Sequence, residues 1–205
     1  TTGNEQKDFL VQIAFKVHPA DGGASEDGSF AGLYKPEIKI PPEASAIHHI
    51  TNKMVADKPT FKESTDQPII KKLFEDKNSI VVAHNAPFDL MIIGKEDIVP
   101  NRFICTLRVA RELDPEGKIP RYNLQYLRYL LDLDVEATAH DALGDVLVLE
   151  KLFERLKNKI MSEQKLSEDE AIDKMVEISS HPSLFRTMNF GKHNGKKIEE
   201  VLAPD

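Results

Sequence analysis

The chain has 205 residues, a length that suits one ordinary domain with at most a small appendage. Hydrophobic residues make up 40% and charged residues 30%, enough apolar material for a core, which excludes wholesale disorder. A single cysteine excludes an internal disulfide framework, and 34 acidic against 27 basic side chains (net −7) exclude nucleic-acid binding by bulk positive charge.

A bound divalent ion can still reverse the sign of a local acidic site, so the charge balance leaves nucleic-acid processing open. No apolar run reaches the roughly 20 residues that span a bilayer. The first residues, Thr1 to Gln6, are polar and show no signal peptide. With the lone thiol, this sets the expectation of a soluble, cytoplasmic protein without membrane contact. The sequence opens without Met and stops at Leu202-Ala203-Pro204-Asp205, so a piece of a longer chain is expected.

Residues 9–17 (FLVQIAFKV) carry β-favouring side chains and predict a strand. The polar, glycine-rich stretch 21–28 predicts a turn or loop. Residues 30–40 predict a second strand, stopped by Pro41-Pro42. Ile69, Ile70, Leu73 and Phe74 fall at helical spacing within 65–76. Residues 79–83 (SIVVA) form a short apolar run typical of a buried strand. A helix over 87–93 and a strand over 103–105 follow. Amphipathic helices are predicted over 106–113, 123–131 and 140–160. Strands first, then strand–helix alternation, give an α/β domain with a mixed sheet flanked by helices. Beyond residue 160 the character changes. Ser167 and Glu170 have capping-box spacing ahead of Ala171, Ile172, Met175 and Ile178, and His181-Pro182 ends that helix. From Arg186 to Lys197 there are four Lys/Arg and no Asp/Glu, which fits either a charged surface turn or a phosphate contact. The expected organisation is a domain over 1–160, a linker and helix over 161–180, and a small basic appendage over 181–205.

Two segments could carry chemistry. His84-Asn85-Ala86-Pro87-Phe88-Asp89 follows the apolar strand directly, and ligand-binding groups gather at the carboxyl ends of strands in α/β sheets. Asp89 then falls in a first helical turn, where it either supports the helix end or faces a ligand. In His140-Asp141-Ala142-Leu143-Gly144-Asp145 the two aspartates lie four apart, hence on one helix face. An imidazole beside them could act as a base and the carboxylates as hard-ion ligands, or the segment is simply an acidic helix start. Asp89 and Asp145 together with His140 are parts that metal-assisted phosphodiester hydrolysis would use. Cys105, between apolar neighbours, is expected to be a buried thiol. Zinc spacing and glycine-rich phosphate loops are missing from the sequence.

The order Thr1-Thr2-Gly3, Ile47-His48-His49-Ile50-Thr51, His84-Asn85-Ala86-Pro87-Phe88-Asp89, then His140 and Asp145, resembles the DEDD exonucleases of the DnaQ-like, histidine-containing branch. The match extends through Ala46 to Pro59, Ile104 to Leu113 and the tail from Pro182 to Val201, a tail that most members of the branch lack. It implies a ribonuclease H-like fold with a mixed five-stranded sheet and 3′→5′ removal of nucleotides from DNA ends. The implied cofactors are two Mg²⁺ or Mn²⁺ ions, and the implied partner is a DNA 3′ end. The family allows a homodimer, and DNA repair or recombination is the implied setting. By position, Asp89 and Asp145 resemble metal ligands and His140 the general base. Thr2 and Gly3 would line the terminal nucleotide, Asn85 and Phe88 would shape the site, and His48 would contact that nucleotide, with Glu43 a weaker candidate.

Three departures stand out. The family's first motif, Asp-x-Glu, precedes Thr-Thr-Gly, so these carboxylates are expected upstream of Thr1. Asp141 stands where relatives commonly place Arg, and the tail stops where the family continues with an aromatic segment. Two alternatives to a free-standing exodeoxyribonuclease are a proofreading subunit of a DNA polymerase and a non-catalytic nucleic-acid-binding module lacking the first motif.

Overall fold

Phe15 and Phe30 set the first strand pairing. In the computed structural model, strand β1 (Gln12–Lys16) runs antiparallel to β2 (Ser29–Leu33), and these two rings face each other directly, stacked at 5.1 Å. The structure describes residues 1–2, 8–19, 28–135, 142–183, 192 and 198–202. The second strand is shorter than the sequence suggested. It ends at Leu33, although Tyr34 still donates its N–H to the Val11 carbonyl at 2.8 Å. Pro36 lacks a donor and cannot extend a ladder. Pro41-Pro42 then does more than stop the chain: Pro42 opens helix α1 (Pro42–His48), using the fixed φ that suits a first helical position.

Helix α2 (Asp66–Phe74) leads to β3 (Val81–Ala83), α3 (Ala86–Lys95) and β4 (Phe103–Cys105). Strands β3 and β4 are parallel, with Val81, Val82 and Ala83 opposite Phe103, Ile104 and Cys105. Among the described residues the strands therefore form one antiparallel and one parallel pair, and no further strand joins the two into a single sheet. Helices α4 (Thr106–Glu112), α5 (Leu124–Leu130), α6 (Ala142–Gln164), α7 (Glu168–Ser180) and α8 (Ile198–Leu202) follow. Most of the basic tail lies outside the described residues.

The largest core gathers Ile104 of β4, Val109 and Ala110 of α4, Leu127 of α5, Leu152, Leu156 and Ile160 of α6, and Ala171 and Met175 of α7. The i, i+4 spacing of Val148, Leu152, Leu156 and Ile160 keeps one buried stripe along α6. The expected capping box is formed, with Ser167 accepting from the Glu170 N–H and Glu170 accepting from the Ser167 N–H. Cys105 is buried and unoxidised, as its apolar neighbours implied.

A second core holds Leu10, Tyr34, Phe61, Ile70, Ile92, Ile93 and Ile98. Tyr34 is pinned there: its hydroxyl donates to Asp66 Oδ2 at 2.7 Å, and its ring meets Phe61 edge-on at 4.9 Å. A Cβ on Gly32 would lie 2.3 Å from the Tyr34 Oη and 2.8 Å from Cζ. That ring cannot swing aside without breaking the Asp66 bond, so crowding here has no inexpensive relief. Gly32→Ala is therefore expected to destabilise the fold by about 1–3 kcal/mol, read as a lower urea midpoint, and an unchanged midpoint would contradict it.

Candidate active site

The parallel register places His84, one residue past β3, opposite Thr106, one residue past β4. His84 Nδ1 lies 2.9 Å from Thr106 Oγ1, and Nε2 lies 2.6 Å from the Tyr122 carbonyl. A carbonyl only accepts, so Nε2 carries the proton and Nδ1 accepts from the threonine hydroxyl. Burial first, and then the nearby Arg111 charge, push this imidazole below its usual range, against the pull of the Tyr122 carbonyl. His84 is thus a neutral brace among three segments.

Asn85 follows at φ 67°, ψ 43°, a left-handed conformation that asparagine tolerates better than most residues. It occupies the cap position of α3, but its side chain makes no capping bond and is exposed. Helix α3 starts from this turn and carries Asp89 in its first turn. Phe88 packs its ring partly against the second core. Asp89 is solvent-accessible, yet surrounding protein desolvates it and pushes its carboxyl up to about 6, against the pull of its own backbone N–H. Desolvation therefore outweighs the interactions that favour the ionised form.

Thr1 and Thr2 come to the same neighbourhood as Asp8 and Asp89. Thr2 is buried; its hydroxyl donates to Asp8 Oδ1 and accepts from the Phe9 N–H, each at 3.1 Å. Lys95, at the end of α3, donates to the Asp8 carbonyl at 2.9 Å. His48, in the last turn of α1, accepts the Ile50 N–H on Nδ1 at 3.1 Å. Its proton therefore sits on Nε2, which donates to the Thr1 carbonyl at 3.0 Å. Burial lowers the pKa of His48, and His49 adds to this, against the two backbone bonds. The structure thus draws together Thr1-Thr2, His48 and Asp89. Glu43 is exposed in the first turn of α1, one helix length from His48.

Asp145 lies in the first turn of α6, and its Oδ1 accepts from Gln125 Nε2 of α5 at 2.7 Å. Gly3, His140 and Asp141 lie outside the described residues. Sequence reasoning missed Gln125, Thr106 and the buried Asp8. A lone glutamine in a helical first turn carries no signal of its own, whereas Thr106 follows from the strand register once β3 and β4 are paired.

Among the described residues no three His, Cys, Asp or Glu side chains converge tightly enough to form a metal cluster. The donor chemistry nevertheless fits a hard divalent cation: two carboxylates in helical first turns, one of them raised by desolvation. Among the described residues no helix is long and apolar enough to cross a membrane.

These features agree with what the chain is similar to. It belongs to the exonuclease family whose model, RNase_T, matches residues 1–153. Exodeoxyribonuclease 10 of Escherichia coli strain K12 is 32% identical over 197 residues, covering 96% of this chain and 80% of that protein. The DNA polymerase III subunit epsilon of the same strain is 32% identical over 137 residues, covering 61% of this chain and 53% of that one. Among solved structures, exonuclease X in complex with 5′ overhanging duplex DNA superposes with a TM-score of 0.66 at 27% identity, covering 87% of this chain and 95% of that one. That match bears out the ribonuclease H-like α/β fold.

The raised Asp89 has a stability consequence. Its folded pKa of about 6 exceeds the free value of 3.8, so the folded state binds more protons in that window and loses stability as pH rises through it. In EDTA, Asp89→Asn should raise Tm at pH 7.5, with the gain over the unsubstituted protein shrinking to nothing towards pH 4. Equal melting of the two at pH 7.5 would show that the carboxylate is not strained.

Proposed function

We propose that this chain is a metal-dependent 3′→5′ exodeoxyribonuclease in which Asp89 and Asp145 hold the metal and His140 is the general base. The observation that carries this reading is the pairing of family membership with two carboxylates in helical first turns, one of them raised to about 6. Divalent ions, when bound, supply charge for the phosphate and lower the pKa of the attacking water. His140 accepts the proton of that water as its oxygen bonds to phosphorus. The P–O3′ bond breaks, a nucleoside 5′-monophosphate departs, and the O3′ of the shortened strand takes a proton from solvent water to become a 3′-hydroxyl. Thr2, Gly3, His48, Asn85 and Phe88 line the terminal nucleotide, with Glu43 at the periphery. Both ring nitrogens of His48 are engaged with backbone, so its contribution there is a fixed, neutral surface.

Similarity to DNA polymerase III subunits epsilon spans 60–75% of the chain and similarity to exodeoxyribonuclease 10 spans 96%, which favours a free-standing nuclease over a proofreading subunit. The basic tail and the substituted Asp141 then tune DNA affinity in opposite directions. Mg²⁺ or Mn²⁺ serves as cofactor, the cytoplasm is the compartment, and residues 1–160 belong to the catalytic unit.

The test uses full-length protein with 3′- and 5′-end-labelled single-stranded DNA. Shortening from the 3′ end with Mg²⁺, abolished by EDTA, is expected. Asp145→Ala and His140→Ala should each lower the rate by about 10²–10⁴-fold with an unchanged circular dichroism spectrum. Near-normal digestion by either variant overturns its assigned role, and tight DNA binding without shortening in Mg²⁺ or Mn²⁺ indicates a binding module.

A further inference from the structure

We infer that Gln125 is a positioning residue for Asp145: its carboxamide fixes one carboxylate oxygen so that the other is presented to the metal. The inference rests on the reading of Asp145 as a metal ligand and adds a residue to that site which neither pattern nor spacing indicates.

The geometry is specific. Gln125 sits in the first turn of α5, a helix whose start is fixed by Asn123, whose side chain accepts the Tyr126 N–H at 2.8 Å. Helix α5 packs against α6, and the Gln125–Asp145 bond joins their first turns. Gln125 Nε2 donates to Asp145 Oδ1 at 2.7 Å, the length of a charge-assisted bond. An ionised carboxylate only accepts, which forces the amide nitrogen toward Asp145 and the amide oxygen away from it. That oxygen, Oε1, is buried and has no hydrogen-bond partner among the described residues. An unbonded buried acceptor is unfavourable. The side chain nevertheless keeps this orientation, as expected if the bond to Asp145 dominates. Among the described residues none bonds Asp145 Oδ2.

The choice of residue is informative as well. Lysine or arginine at this place would grip the carboxylate more strongly but bring a charge that repels an incoming cation. Glutamine orients the oxygen and leaves the full negative charge for the ion. A hydrophobic side chain would leave Asp145 free to rotate about χ2, a broad torsion for aspartate.

The experiment measures Mn²⁺ binding to the full-length protein by calorimetry, alongside melting temperature and DNA hydrolysis. Gln125→Leu keeps the apolar stem and removes the donor. It should weaken Mn²⁺ binding by about 10–100-fold, the usual effect of removing a group that orients a metal ligand. The rate should fall at low metal and recover at high metal, with KM for DNA unchanged. Unchanged Mn²⁺ affinity in a folded Gln125→Leu protein overturns the inference, as does a loss of melting temperature with normal affinity, which is the signature of a packing role. Asp145→Asn separates the layers. If it leaves Mn²⁺ binding intact, the assignment of Asp145 itself falls, and this inference with it. If it abolishes binding while Gln125→Leu does not, only the role of Gln125 falls.

Discussion

The imidazole of His84 ties the end of β3, the start of α4 and the loop ahead of α5 to one point, through Thr106 and the Tyr122 carbonyl. Because burial keeps it neutral, it can donate on one nitrogen and accept on the other without placing a cation beside the carboxylates. Its position decides much else. One residue downstream the chain turns through left-handed Asn85 into the helix that carries Asp89. One residue past Tyr122, Asn123 caps the helix that carries Gln125. Thus one side chain sets the origin of both helices that place or orient the proposed metal-site carboxylates. Arg111, stacked 5.5 Å over the Tyr122 ring, reinforces the same corner.

A contrast between two carboxylates shows how this acidic protein separates structure from chemistry. Burial raises Asp114, but the Ile119 amide at 2.7 Å, the Tyr122 hydroxyl at 2.7 Å and the Lys118 amide at 2.9 Å more than offset it, aided by the Lys118 charge. Its net pKa lies below the ordinary range, and its bonding capacity is spent on holding a loop. Asp89 has no such set of donors and stays raised. A saturated carboxylate organises backbone, whereas an unsaturated one retains charge to give a ligand. Negative net charge therefore does not count against a polyanionic substrate, because the deficit of cations is local to where ions would sit.

Much of the fold was legible because its local signals were strong. The strand over 103–105, the capping box at Ser167 and Glu170, and the stripe along α6 all follow from short-range patterns that burial then satisfies. Helix α1 was not legible, because a proline pair that ends a strand also begins a helix, and only packing of Ala44 with Ile40 and Val55 decides between them. The candidate site divides in the same way. Asp89 and Asp145 stand out by type and by helical position, and the family pattern names their roles. The contacts that hold the site, His48 with Thr1, His84 with Tyr122 and Gln125 with Asp145, join residues 47, 38 and 20 apart. No local periodicity encodes such pairs; they exist only once the strands are in register.

Helix α7 has an effect beyond its own length. Its Ser179 hydroxyl accepts the Cys105 N–H at 2.8 Å and donates to the Met175 carbonyl at 2.6 Å, and the Ser179 carbonyl accepts from Arg108. The backbone of β4 is thus completed on one side by a side chain from 74 residues further on. During synthesis on the ribosome, β4 leaves the exit tunnel long before its partner exists. The Cys105 amide and the apolar face awaiting Met175 stay uncovered until the chain has grown past residue 180. Closure of the β3–β4 corner is therefore a late event, and nascent chains paused before that point present a sticky, half-finished edge that chaperones would recognise.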